Sequence, residues 1–184
     1  MNPLIALVGA FLLSGSAAVA PVTPAAAPVA PTTYAVKLTA YNALAAQTDD
    51  NPSVTASGVA SNPEVVAARS RDLAEVLPFG TVISIEPSAT SSPDCGLGAV
   101  ESQIGYRVIA DVMSARKTNQ VDVLLNQDQT VRSQGVETNP SLVLGVCDGV
   151  VISVVGHIDL KDIPKTQADL ARLITGKSDT LAIK

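Results

Sequence analysis

Asp111 and Asp122 stand eleven residues apart, and each interrupts an apolar run, "RVIADVM" and "QVDVLL". A carboxylate in apolar surroundings is disfavoured as an anion, so its pKa rises, and a second carboxylate nearby raises it further. A carboxylic acid that keeps its proton near neutral pH can deliver it to a leaving oxygen, the opening step of glycoside cleavage. Structural readings stand beside this one. Asp122 is the outward residue of an alternating strand if Val121 and Val123 point inward. Asp72, in "SRDLAEVLP", suits the start of a short helix. Asp111 follows the unbroken run "VIA" and is the hardest to place on a wet face, yet turn N–H groups could satisfy it in a purely structural role.

Strands must position these side chains. From Tyr34 onward, β-branched runs alternate with turn signals. The candidates are 34–42, 64–69, 81–87, 106–113, 120–125 and 149–158. Segments rich in Asp, Asn, Pro, Ser and Gly separate them, and long helical patterns do not alternate with them, which excludes a doubly wound α/β sheet. Six strands in one domain predict an all-β, closed six-stranded barrel, which leaves no free edge. Short helices accompany it: one or two turns before Pro78, and a C-terminal helix in "IPKTQADLARLITG". There Pro164 lies near the start, Gly176 lies past the end, and Leu170, Leu173 and Ile174 share a face. The tail 177–184 is expected to be loose.

The apolar fraction of 47% in 184 residues suffices for one core, built of Val, Ile, Leu and Ala because aromatics supply only 3%. A net charge of -5 without a basic cluster argues against nucleic acid as a partner. Residues 1–20 carry no charged side chain and read as a signal peptide or N-terminal membrane anchor. Residues 21–33 read as a Pro/Ala-rich linker. The barrel domain then spans 34–160, and 161–184 hold the C-terminal helix and tail. These features predict export to the cell envelope, with membrane attachment if the apolar run is retained. In that compartment Cys95 and Cys147 are expected to form a disulfide.

Five segments in order resemble the 3D domain, the three-aspartate double-psi β-barrel family related to peptidoglycan lytic transglycosylases. They are "LTAYN" (38–42), "TASG" (55–58), "VAARSRDLAEVLPFGTVISI" (66–85), "GYRVIADVMSARKTNQVDVLL" (105–125) and "LGVCDGVVISVVG" (144–156). The resemblance covers roughly residues 36 to 158. It implies a six-stranded double-psi barrel and a wall-active enzyme that cleaves peptidoglycan glycan strands. Asp111 would be the acid/base, and Asp122 and Asp72 would orient it, tune its pKa or bind sugar. Between Asp111 and Asp122, "VMSARKT" replaces the family's glycine-rich stretch, the mark of a divergent subgroup. That replacement motivates the alternative, a non-catalytic peptidoglycan- or carbohydrate-binding or structural envelope module of the same fold.

Tyr41, Thr55, Ser57, Arg116 and Lys117 are the candidate substrate-binding residues, with peptidoglycan the expected partner. Each has a plainer reading as core, turn or solvated loop. No metal or cofactor is expected. "TDDNPS" (48–53) lacks the EF-hand pattern and reads as a turn. One His, His157, is too few for a zinc site with two cysteines committed elsewhere. The glycines of "CGLGAVESQIG" precede no helical pattern, which argues against a phosphate-binding loop.

Overall fold

The computed structural model describes residues 31–88 and 95–181. The segments expected to be signal and linker fall outside them up to residue 30, as does the tip of the loop at 89–94. Six strands close into a barrel: β1 (Thr33–Tyr41), β2 (Val66–Arg69), β3 (Thr81–Glu86), β4 (Arg107–Val112), β5 (Gln120–Leu124) and β8 (Cys147–His157), in the spatial order β1-β5-β2-β4-β3-β8. All six were legible as β-branched runs. β1 begins at Thr33, inside the stretch assigned to the linker. Two pairings are parallel, β1 with β5 and β2 with β4, and the other four are antiparallel. The parallel pairs require crossing connections, as in a double-psi arrangement.

Strand alternation separates two apolar faces. Val36, Leu38, Ala67, Ile83, Ile109, Val121, Val123, Val150 and Ile152 form the inner cluster. Val66, Ala68, Val82, Val108, Ala110, Leu124 and Tyr41 face the other way, and Leu170 and Ile174 of the C-terminal helix cover part of that face. Each fully buried Val, Leu or Ile contributes about 1.5–3 kcal/mol. Small side chains therefore suffice, and the near absence of aromatics does no harm.

Several elements differ from expectation. A helix does form in the glycine-rich segment: α1 (Leu97–Ile104) buries Leu97, Val100 and Ile104 on one face. Gly96 precedes it for packing, since a Cβ there would collide with the Val143 carbonyl. α2 (Pro140–Leu144) starts where the Asn139 side chain accepts from the Ser141 N–H, with Pro140 at its first position. The hairpin β6 (Val131–Ser133) and β7 (Val136–Thr138) was missed as well. Gln134 and Gly135 form its turn at φ 50° and 85°, the left-handed pair that a two-residue hairpin needs. α3 (Gln167–Leu181) runs through Gly176 and into the tail expected to be loose. A helical glycine costs only about 1 kcal/mol, and no proline follows to stop the helix.

Cys95 and Cys147 form a disulfide with Cα atoms 5.1 Å apart, closing a span of 52 residues. In the chain-entropy account a loop of that size contributes about 4 kcal/mol. It ties the approach to α1 to the start of β8. A disulfide is consistent with an extracytoplasmic, oxidising compartment. Among the described residues no helix is long and apolar enough to cross a membrane.

Candidate active site

One row of cross-strand partners builds the site. Thr39 on β1 faces Asp122 on β5, Asp122 faces Ala68 on β2, and Ala68 faces Asp111 on β4. Neighbouring strands lie about 4.8 Å apart, so two spacings set the aspartate backbones about 10 Å from each other. Ala68 between them has only a methyl group, which leaves the space above it to the carboxyls. Val121 and Val123 point into the barrel and Asp122 points out, as its strand alternation predicts.

Asp111 reaches this row through an irregularity. Ala67 pairs with Ile109, but the next residue, Ala68, pairs with Asp111, so Ala110 is skipped. A one-residue slip moves a side chain to the opposite face of a strand. The "TASG" turn holds this slip. The Ser57 N–H donates to the Ala110 carbonyl at 3.2 Å. The Ala56 N–H donates to Asp111 Oδ1 at 2.9 Å. Gly58, at φ 85°, closes the turn with its N–H on the Thr55 carbonyl. Thr55 is buried and pairs its hydroxyl with that of Ser57 at 3.1 Å.

The Asp111 carboxylate accepts two further hydrogen bonds, from the Val112 N–H at 2.9 Å and from the Tyr41 hydroxyl at 2.8 Å. Burial, then the Asp111 charge and hydrogen bond, hold the Tyr41 phenol far above its usual range, so it stays a donor. Asp122 Oδ1 accepts from the Thr39 hydroxyl at 2.7 Å. Burial pushes the Asp122 carboxyl up to about 6. The Thr39 hydrogen bond and Lys117 oppose that shift, and Asp111 adds to it.

A cavity of about 330 Å³ opens beside the row. Its lining includes Tyr41, Ala68, Asp111, Asp49, Thr55 and Arg71. The 48–53 stretch is a turn, as expected: the Asn51 N–H donates to Asp49 Oδ1, and the Ser53 hydroxyl donates to Asn51 Oδ1.

Asp72 lies apart from the pair. It sits in a single 3₁₀ turn, Arg71–Leu73, and is exposed. Its Oδ2 accepts the Asn119 N–H at 2.9 Å. The Ser70 side chain, then the Asn119 N–H, hold its carboxyl below the usual range. Asn119, at φ 48°, in turn donates its side chain to the Ala35 carbonyl and receives the Lys37 N–H on its own carbonyl. Asp72 thus braces the crossing loop that leads into β5. Arg116 and Lys117 are exposed on that loop and do not line the cavity. Lys117 acts on Asp122 through its charge. Sequence reasoning missed Thr39, Gln120, Arg71 and the Ala56 N–H. No local signal marks the first two, because register across parallel strands joins them to the site. Among the described residues, no group of three or more His, Cys, Asp or Glu could hold a metal ion.

No family model matches this chain, and no curated protein matches it.

Proposed function

We propose that this protein is an exported, cell-wall-active enzyme that cleaves peptidoglycan glycan strands by carboxyl acid/base chemistry. The observation that carries the reading is Asp122. Its carboxyl holds a proton to about pH 6, and it shares an outward row with an Asp111 that opens onto a cavity. The resemblance names Asp111 as the acid. The surroundings favour Asp122 as the proton carrier, because Asp111 has its oxygens engaged by three donors. Asp122 would protonate the glycosidic oxygen as the C1–O bond breaks. The sugar's own 6-hydroxyl would then add to C1, and the Asp122 carboxylate would take that hydroxyl's proton. This closes an anhydro ring and restores the acid without water. Asp111, fixed by Tyr41 and the TASG turn, would hold the sugar's hydroxyls.

A second reading follows from where the cavity lies. It opens on the Asp111 side and Asp122 is not among the residues that line it, as suits a glycan-binding module without turnover. Purified peptidoglycan incubated with the protein, and with its Asp122→Asn and Asp111→Asn variants, separates the two by mass spectrometry of the products. Anhydro-muropeptides from the parent and none from Asp122→Asn are expected. A folded parent that releases nothing, yet binds glycan in an Asp111-dependent way, selects the binding module.

A further inference from the structure

Gln120 Nε2 donates to Thr39 Oγ1 at 2.8 Å, and Thr39 Oγ1 donates to Asp122 Oδ1 at 2.7 Å. A hydroxyl has a single hydrogen. With the amide filling a lone pair of Thr39, that hydrogen is turned away from Gln120 and donated to Asp122 Oδ1. Gln120 is buried at 4% exposure, and its backbone is pinned twice. Its N–H donates to the Ser70 hydroxyl at 3.1 Å, and its carbonyl accepts the Ser70 N–H at 2.9 Å. The parallel register sets Thr39 directly opposite Asp122. The donor chain is therefore fixed at both ends by the barrel itself.

We infer that Gln120 and Thr39 are positioning residues that lock one oxygen of Asp122 as an acceptor and leave Oδ2 as the oxygen that gains and loses the proton. Neither residue need touch substrate. Their effect is on which oxygen is acidic and when. The catalytic meaning of this device rests on the function proposed above, but the device is visible without turnover. The other charges acting on Asp122 are Asp111 from β4 and Lys117 from the crossing loop. β2 presents the uncharged Ala68 there, and β1 adds the protonated Tyr41 phenol.

The test is the carboxyl titration of Asp122 by ¹³C NMR in the full chain. The parent is compared with Thr39→Val, Thr39→Ser, Gln120→Leu and the Val/Leu double variant. A hydrogen bond to a carboxylate favours its charged form. Losing the Thr39 hydroxyl should therefore raise the Asp122 midpoint by about one pH unit, and Thr39→Ser should restore it. Gln120→Leu should raise it less, by freeing the hydroxyl to rotate, and should add nothing once Thr39 is Val. A midpoint unmoved by Thr39→Val, or full additivity in the double variant, overturns the relay. Thr39→Ser keeps the test decisive if the Val variant folds poorly, because a midpoint in Ser equal to the parent's while Gln120→Leu still moves it supports the relay, and one that ignores Gln120→Leu overturns it. The pH profile of glycan release should follow the midpoint through the series. A parent inert on peptidoglycan defeats the proposed function alone, and the titration still decides the relay.

Discussion

The two ends of β4 carry opposite solutions to a buried charge. At one end Arg107 is fully buried. Its guanidinium donates to the carbonyls of Ile104, Pro63, Leu124 and Gln103 at 2.6, 2.6, 3.0 and 2.6 Å. Burial pulls its pKa down to about 10, so it remains charged at neutral pH. At the other end Asp111 also sits against the barrel, but it opens onto a cavity and shares its row with a second carboxyl. A buried charge saturated by backbone partners is a strut. A partly buried carboxylate that opens onto a cavity beside a second carboxyl leaves room for a ligand.

Breaking the strut should have the largest effect on stability. Arg107→Met removes the desolvated cation but breaks four hydrogen bonds to carbonyls, of which Ile104 keeps a second donor, the Gln167 amide, at about 1 kcal/mol or more for each bond lost. A loss of about 4 kcal/mol in a urea melt is expected, with no change in pH dependence between pH 4 and 7. An Arg107→Met protein as stable as the parent would erase the contrast between the two ends.

Asp122→Asn should act in the other direction. The folded-state carboxyl is raised from 3.8 to about 6. A raised carboxyl favours folding fully below its unfolded pKa, and that contribution is lost as pH climbs through about 6. The parent should therefore lose about 2 kcal/mol between pH 4 and 7 at this residue. The Asn variant, unable to ionise, should lose none of it and be the more stable protein at pH 7, while releasing no anhydro-muropeptides. A parent whose urea midpoint is flat across that range would sink the assignment of the proton to Asp122.

Tyr41→Phe is a finer probe. It removes one of three donors from Asp111 and should cost about 1–2 kcal/mol. Glycan binding should weaken, with the Asp122 midpoint nearly unchanged; equal movement of both would show that the two carboxyls act as one unit. The smallest effect is expected from Asp72→Ala. Its carboxyl is held below the usual range, so its contribution is present above pH 4 and vanishes as pH falls through the folded value. Parent and variant should differ slightly at pH 7 and converge in acid. A large loss of activity without a loss of stability would return Asp72 to the site.

Much of the fold was legible in the chain. Six β-branched runs became six barrel strands because their residues alternate or bury on both faces, which is a local property. The C-terminal helix was legible from the spacing of Leu170, Leu173 and Ile174. The short turn before Pro78 was legible too, as the single turn Arg71–Leu73, but α1, α2 and the β6–β7 hairpin were not. A turn or two of helix carries too little periodicity to stand out, and its energy comes from the barrel end and the disulfide that it packs against.

The site divides along the same line. Sequence by itself determined which residues can titrate, that Asp122 points away from Val121 and Val123, and that a turn-forming "TASG" precedes β2. The tertiary structure alone decided that Asp111 shares Asp122's face. That depends on Ala110 being skipped in the pairing with β2, which a turn some fifty residues upstream holds in place. It also decided that Asp72 braces a loop, and that Thr39 and Gln120 converge on Asp122 from more than eighty residues apart in the chain. The physical reason is period two. A strand fixes each side chain to one of two faces, but only register across strands fixes which neighbours share it.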